Sequence, residues 1–109
     1  MGNTAEECAM VLTGTGADAV GANCGDLDPS QMATVVSLLK SATSLPILAQ
    51  PNAGKPKLVD GATVFDMTPA DFASGIAECL RAGARIVGGC CGTTPEHIRA
   101  VADIPARYA

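Results

Sequence analysis

Apolar residues recur along this chain in blocks of helical spacing separated by short apolar runs. Ala5, Cys8, Ala9 and Leu12 fall on one helical stripe behind Thr4-Ala5-Glu6-Glu7, a sequence that fits a capping box, and Gly14 and Gly16 supply stop signals. Ala17 to Asn23, "ADAVGAN", reads as a short buried strand weakened by Gly21. Asp28-Pro29-Ser30-Gln31 opens a second helix, with Asp28 as N-cap, Pro29 in the first turn and Gln31 reaching back; Met32, Val35, Val36 and Leu39 form its inner stripe. Pro46 to Gln50, "PILAQ", is the second strand. Thr68-Pro69-Ala70-Asp71 repeats the cap-then-proline grammar, Phe72, Ile76, Cys79 and Leu80 mark a buried face, and Gly83 ends that helix. Arg85 to Gly89, "RIVGG", is the third strand, and Thr94-Pro95 starts a last helix that carries Ile98, Val101 and Ala102 inward.

The predicted order is a helix followed by three strand–helix units. Strands that alternate with helices imply right-handed crossovers and a parallel sheet, hence an α/β protein. Each strand runs into a polar or glycine-rich loop: "NCGD", "QPNAGKP" and "GGCCGTT". In parallel α/β folds the loops after the strands are where chemistry gathers. The stretch from Asn52 to Met67 is long for such a loop, which marks it as a substrate-covering segment or a surface excursion, with Lys55 and Lys57 solvated. Three parallel strands leave both sheet edges open, and a closed eight-stranded α/β barrel needs about 200 to 250 residues. A chain of 109 residues is therefore expected to need a partner, to self-associate, or to belong to a longer protein.

Composition narrows the class. The chain is 48% hydrophobic and 17% charged, a globular balance, and its formal net charge of −4 gives no basic footprint for nucleic acid. No apolar run reaches the roughly 18 to 20 residues of a membrane span, and the first ten residues carry no secretory pattern. Aromatic residues are limited to Phe65, Phe72 and Tyr108, so the core must be built from Ala, Val, Leu and Ile, as in parallel α/β proteins. Five cysteines, an odd number without an extracellular cue, favour reduced thiols or a metal site in a cytoplasmic setting over a disulfide framework.

Three of the five cysteines sit at strand ends. Cys24 closes the first strand and the adjacent Cys90 and Cys91 close the third, and in a parallel sheet those ends are neighbours in space. Thiolates converging from two loops suit Zn²⁺, which prefers tetrahedral sulfur and nitrogen ligands, and three protein ligands leave one position open, as in catalytic sites. Gly88, Gly89 and Gly92 free the backbone so that neighbouring cysteines can turn toward one ion. A thiol entering the open position would lose its proton and stay nucleophilic at neutral pH, ready to attack an activated carbon. The competing readings are buried small hydrophobes, a vicinal disulfide, or an anion held at the Thr94-Pro95 helix start. Cys8 and Cys79 lie on apolar helix stripes and read as packing residues. His97, the single histidine, reads as a surface or supporting residue near the metal loop rather than a ligand.

The strings "GANC", "QPNAGKP" and "GGCCGTTPEHIRA", in this order and spacing, resemble the homocysteine S-methyltransferase domain found in cobalamin-dependent methionine synthase and betaine–homocysteine methyltransferase. The resemblance runs from roughly Thr4 to Ile104 and covers the C-terminal part of the family's barrel. It implies a partial (β/α)8 barrel spanning residues 1–109 as one C-terminal segment, with zinc held by Cys24, Cys90 and Cys91. It also implies that Asn52, Asn23 and Gly89 lie at the homocysteine site; Asn52 of "QPN" matches a loop asparagine close to the family's metal, and by its own chemistry also suits a turn in "PNAG". The activity implied is zinc-dependent methyl transfer to the homocysteine thiol to give methionine, with the methyl donor left open. The family's first strands have no counterpart here, so the expected partners are homocysteine and either a complementing N-terminal half-barrel or a second copy. A different reading of the same residues is a zinc-binding assembly module without turnover.

Overall fold

The computed structural model describes residues 2–105; Met1 and residues 106–109, Tyr108 among them, lie outside that range, as do those ends of the 1–109 segment. The elements are α1 (Ala5–Gly14), β1 (Val20–Asn23), α2 (Pro29–Ala42), β2 (Ile47–Gln50), β3 (Lys57–Val59), β4 (Ala62–Val64), α3 (Pro69–Ala82), β5 (Ile86–Val87) and α4 (Pro95–Ala102). The fold is α/β, with the parallel three-stranded sheet β1-β2-β5 and a separate antiparallel hairpin β3-β4.

Local chemistry sets the helix starts. Asp28 accepts from Gln31 N at 3.0 Å while Gln31 Oε1 accepts from Asp28 N at 3.1 Å, a complete capping box with Pro29 as the first helical residue. Thr4, Thr68 and Thr94 cap the other helices in the same way, each accepting from the backbone three residues on. Asp28→Ala is expected to cost about 1 kcal/mol of stability, measurable as a lower urea midpoint at an unchanged slope.

Helix pairs α1/α2, α2/α3 and α3/α4 pack side by side along the sheet. The main core joins Met32, Val36 and Leu39 of α2 to Val20, Ile47 and Ala49 of the sheet, and to Ala9, Cys79 and Ala84. A second cluster gathers Phe72 and Ile76 of α3 with Ala53, and Val101 and Ile104 pack against it. Strand alternation leaves Gly21, Asn23, Leu48, Gln50 and Ile86 on the face away from the helices, with Ile86 49% exposed. No helix among the described residues is long and apolar enough to cross a membrane.

Several expectations need correction. The strands are shorter than their apolar runs: Ala17–Ala19 stay outside β1, and β5 covers only Ile86 and Val87 of "RIVGG". Backbone bonds to the β2 segment nonetheless continue on both sides of β5, from Arg85 N to Ile47 O and from Gly88 N to Ala49 O. The long loop folds into β3-β4, whose Asp60-Gly61 turn has φ of +50° and +80°, as a tight type I′ hairpin requires. Lys57 is exposed as expected but pairs with Asp66 at the hairpin base. In α4 the buried residue is His97 at 7% exposure, whereas Ile98 is 44% exposed and Ala102 is exposed, so the expected inner face is rotated. The cause is tertiary: the imidazole finds a carbonyl and an aromatic partner beneath the helix, as described below.

Candidate metal centre

The parallel register places the ends of β1 and β5 on either side of β2, and the segment after β2 ties their loops together. Cys24 N donates to Gln50 O at 3.1 Å, Cys90 N to Pro51 O at 2.9 Å, Asn52 N to Leu27 O at 3.1 Å and Ala53 N to Cys91 O at 2.9 Å. Pro51, Asn52 and Ala53 are all buried, so this junction is a fixed floor on which both cysteine loops rest. The Sγ atoms of Cys24, Cys90 and Cys91 lie within 4.8 Å of one another, and Cys24 and Cys91 approach to 3.4 Å.

These separations suit a metal. Sulfurs on a tetrahedral zinc, at Zn–S of about 2.3 Å, stand roughly 3.8 Å apart, so the cluster needs only small side-chain adjustments to close on an ion. The donor set of three thiols, with no carboxylate in the cluster, suits zinc better than a hard oxygen-seeking cation. Cys24 adopts φ of +58°, a left-handed conformation uncommon for a residue with a side chain. That backbone turn ends β1, and Leu27 N returns to Cys24 O at 3.3 Å.

The thiols polarise one another. Hydrogen bonds from Cys90 and then Cys91 hold Cys24 below the ordinary thiol range, while bonding to Cys24 and Cys90 pushes Cys91 up to about 11. Cys24 therefore gives up its proton more readily than Cys91. In reduced, metal-free protein near neutral pH, iodoacetamide is expected to label Cys24 ahead of the more exposed Cys91, as followed by peptide mass spectrometry. Cys79 will label last: it is buried, donates to Pro29 O at 3.3 Å, and desolvation followed by the charge of Glu78 raises it to about 11. Its place in the core matches the packing expectation; Cys8 is half-buried on α1.

The remaining expected site residues lie around this cluster. Asn23 Nδ2 donates to Cys90 Sγ at 3.8 Å. Asn52 is 3% exposed, and its amide spans the two cysteine loops: Nδ2 donates to Gly25 O at 2.8 Å and Oδ1 accepts from Cys91 N at 3.1 Å. Gly89 sits beneath Thr93, where an added methyl would overlap the threonine side chain. Among the three glycines of the cysteine loop, positive φ is confined to Gly92, at +80°, whereas Gly88 and Gly89 matter for close approach. His97 is no part of the sulfur cluster but closes the end of the same loop. Sequence reasoning missed Phe65, which covers Gly92, and the hairpin that delivers it.

Fold and site together define an α/β protein with a three-thiol cluster, able to hold a metal, at the carboxyl ends of parallel strands. The family model for homocysteine S-methyltransferase matches residues 1–104, and the chain belongs to that family. It is 37% identical to homocysteine S-methyltransferase 4 of Zea mays across 96% of this chain and 34% of the relative. It is 38% identical to the methionine synthase of Mycobacterium leprae across 84% of this chain and 8% of that protein. Among solved structures, the oxidised form of the homocysteine methyltransferase MmuM of Escherichia coli superposes with a TM-score of 0.69 at 26% identity, covering 93% of this chain and 30% of that one. The chain thus spans about a third of the length of the maize relative and less of the mycobacterial one.

Proposed function

We propose that residues 1–109 form the zinc-bearing C-terminal segment of a (β/α)8 barrel that transfers a methyl group to the homocysteine thiol, giving methionine, in the reducing setting of the cytoplasm. The observation that carries this reading is the meeting of three thiols from positions 24, 90 and 91, at the carboxyl ends of the strands flanking β2. Two features of the sheet support the barrel. Its strands run in chain order without the reversal of a doubly wound sheet, and helices cover one face only. The uncovered face, with Leu48 and Ile86, is the one that further barrel strands would bury.

In this mechanism Cys24, Cys90 and Cys91 would hold zinc through their thiolates. Bound there, zinc would supply the Lewis acidity that makes a substrate thiol more acidic. Asn23, already a donor to Cys90, tempers charge on that sulfur, and Asn52 keeps the two loops at the spacing that admits one ion. Gly89, whose missing side chain makes room for Thr93, offers substrate its backbone alone. An N-terminal half-barrel supplies the groups that hold the amine and carboxylate of the amino acid.

Metal analysis of protein purified under reducing conditions, followed by a methyl-transfer assay with and without an added N-terminal half-barrel, tests the proposal. One zinc per chain and activity that depends on the added strands is the expected result. Activity that survives Cys90→Ser with Cys91→Ser refutes the mechanism. Stoichiometric zinc without turnover in the completed barrel would instead make the chain an assembly module.

A further inference from the structure

His97 is nearly buried, and every polar atom of its ring is engaged. Nδ1 accepts from Thr94 N at 3.3 Å and lies 2.7 Å from Thr94 Oγ1, while Nε2 lies 2.7 Å from the carbonyl oxygen of Met67. A carbonyl only accepts, and a backbone N–H only donates, so these contacts assign Nε2 as the donor and Nδ1 as the acceptor. The ring edge also meets Phe72 of α3, with centroids 5.4 Å apart and planes at 88°.

The two partners belong to different parts of the site. Thr94 ends the cysteine loop, three residues after Cys91. Met67 ends the excursion that carries the β3-β4 hairpin, two residues after Phe65. Phe65 in turn lies directly over Gly92, so closely that an added methyl would overlap its Cβ and Cγ. Gly54, at the start of the same excursion, faces Met67. The imidazole is therefore a cross-tie between the metal loop and the segment beside it.

We infer that His97 is a positioning residue, which clasps the hairpin segment 54–67 onto the Cys90-Cys91 loop through its Nε2–H to Met67 bond and thereby keeps Phe65 seated on Gly92. This rests on the proposed metal site only for its effect on metal affinity; the clasp itself is a property of the chain. An ordinary helix cap needs only the Nδ1 side of the ring. The bond on the other side, to a carbonyl 30 positions away, has no capping purpose.

The test uses three variants of the chain. Gln at 97 offers an acceptor and a donor at nearly the ring's spacing; Glu keeps only the acceptor that a capping box uses; Ala removes both. Amide exchange is measured across residues 57–67 and 91–94, together with Co²⁺ affinity by absorption titration. His97→Glu and His97→Ala are expected to speed exchange in both segments and to weaken Co²⁺ binding by about 10-fold, while His97→Gln restores both. Wild-type exchange and affinity in His97→Glu would overturn the clasp, because capping alone would then suffice; so would failure of His97→Gln to restore them. Nitrogen NMR of the wild-type imidazole gives a check independent of the variants' folding, since a proton found on Nδ1 also overturns it. Should wild-type protein bind no Co²⁺, the metal reading fails and the exchange data alone decide the clasp.

Discussion

Cys24→Ser is expected to lower zinc or Co²⁺ affinity by about 100- to 1,000-fold, with the fold retained. A four-ligand zinc site supplies about 10–16 kcal/mol, so one thiolate among few ligands carries about 3–4 kcal/mol, and a serine hydroxyl, far less acidic, replaces little of it. The fold should tolerate the change because Cys24 is half-buried at a strand end and contributes a side chain to the sulfur cluster, not to the apolar core. Serine also fits the same left-handed backbone at φ +58° as well as cysteine does. Cys8→Ser serves as the control, since Cys8 sits on α1 outside the cluster. Competition titration with a chelator, alongside far-UV circular dichroism, reads both quantities. Equal affinity in Cys24→Ser and wild type would remove Cys24 from the site, and with it the link between the two loops that defines the centre.

What the sequence discloses and what it conceals follow from the range of the forces involved. The helix starts at Asp28-Pro29, Thr68-Pro69 and Thr94-Pro95 are legible because a cap is a contact over three residues. The meeting of Cys24 with Cys90 and Cys91 is legible too, because a parallel sheet brings strand ends together whatever the sequence between them. The hairpin carried a signal that could have exposed it: Val59-Asp60-Gly61-Ala62 holds the Asp-Gly pair that type I′ turns favour, flanked by short β-prone runs. Its strands are only three residues each and wholly exposed, so no alternation of buried positions accompanied the turn. The inner face of α4 was not legible. Over eight residues the apolar spacing favoured Ile98, and only the Met67 carbonyl and Phe72, supplied by distant segments, make His97 the buried residue. Asn52 illustrates the same limit at the site, since its turn-forming composition is local but its two loop partners lie 27 and 39 positions away.

Asn52→Ala is expected to destabilise the chain by roughly 2–4 kcal/mol and to weaken metal binding by about 10- to 100-fold beyond what unfolding explains. Truncation leaves the Gly25 carbonyl and the Cys91 N–H without their bonds at 2.8 and 3.1 Å, on a side chain only 3% exposed, where water cannot readily take their place. The loss falls unevenly on metal binding because the amide is a direct side-chain link between the Cys24-Gly25 turn and the Cys91 loop. Without it each loop must be ordered by the ion, and that ordering is subtracted from the affinity. Asn52→Asp separates the two bonds. The carboxylate still accepts from Cys91 N–H, but it sets oxygen against the Gly25 carbonyl and buries a charge beside three sulfurs. It should therefore be at least as unstable as Asn52→Ala, while amide exchange at Cys91 stays closer to wild type. Urea unfolding gives the stability, and Co²⁺ titration under native conditions gives the affinity. If both variants bind metal as tightly as wild type despite lower stability, the backbone bonds of residues 50–53 suffice to hold the loops, and the Asn52 side chain has no part in setting the centre.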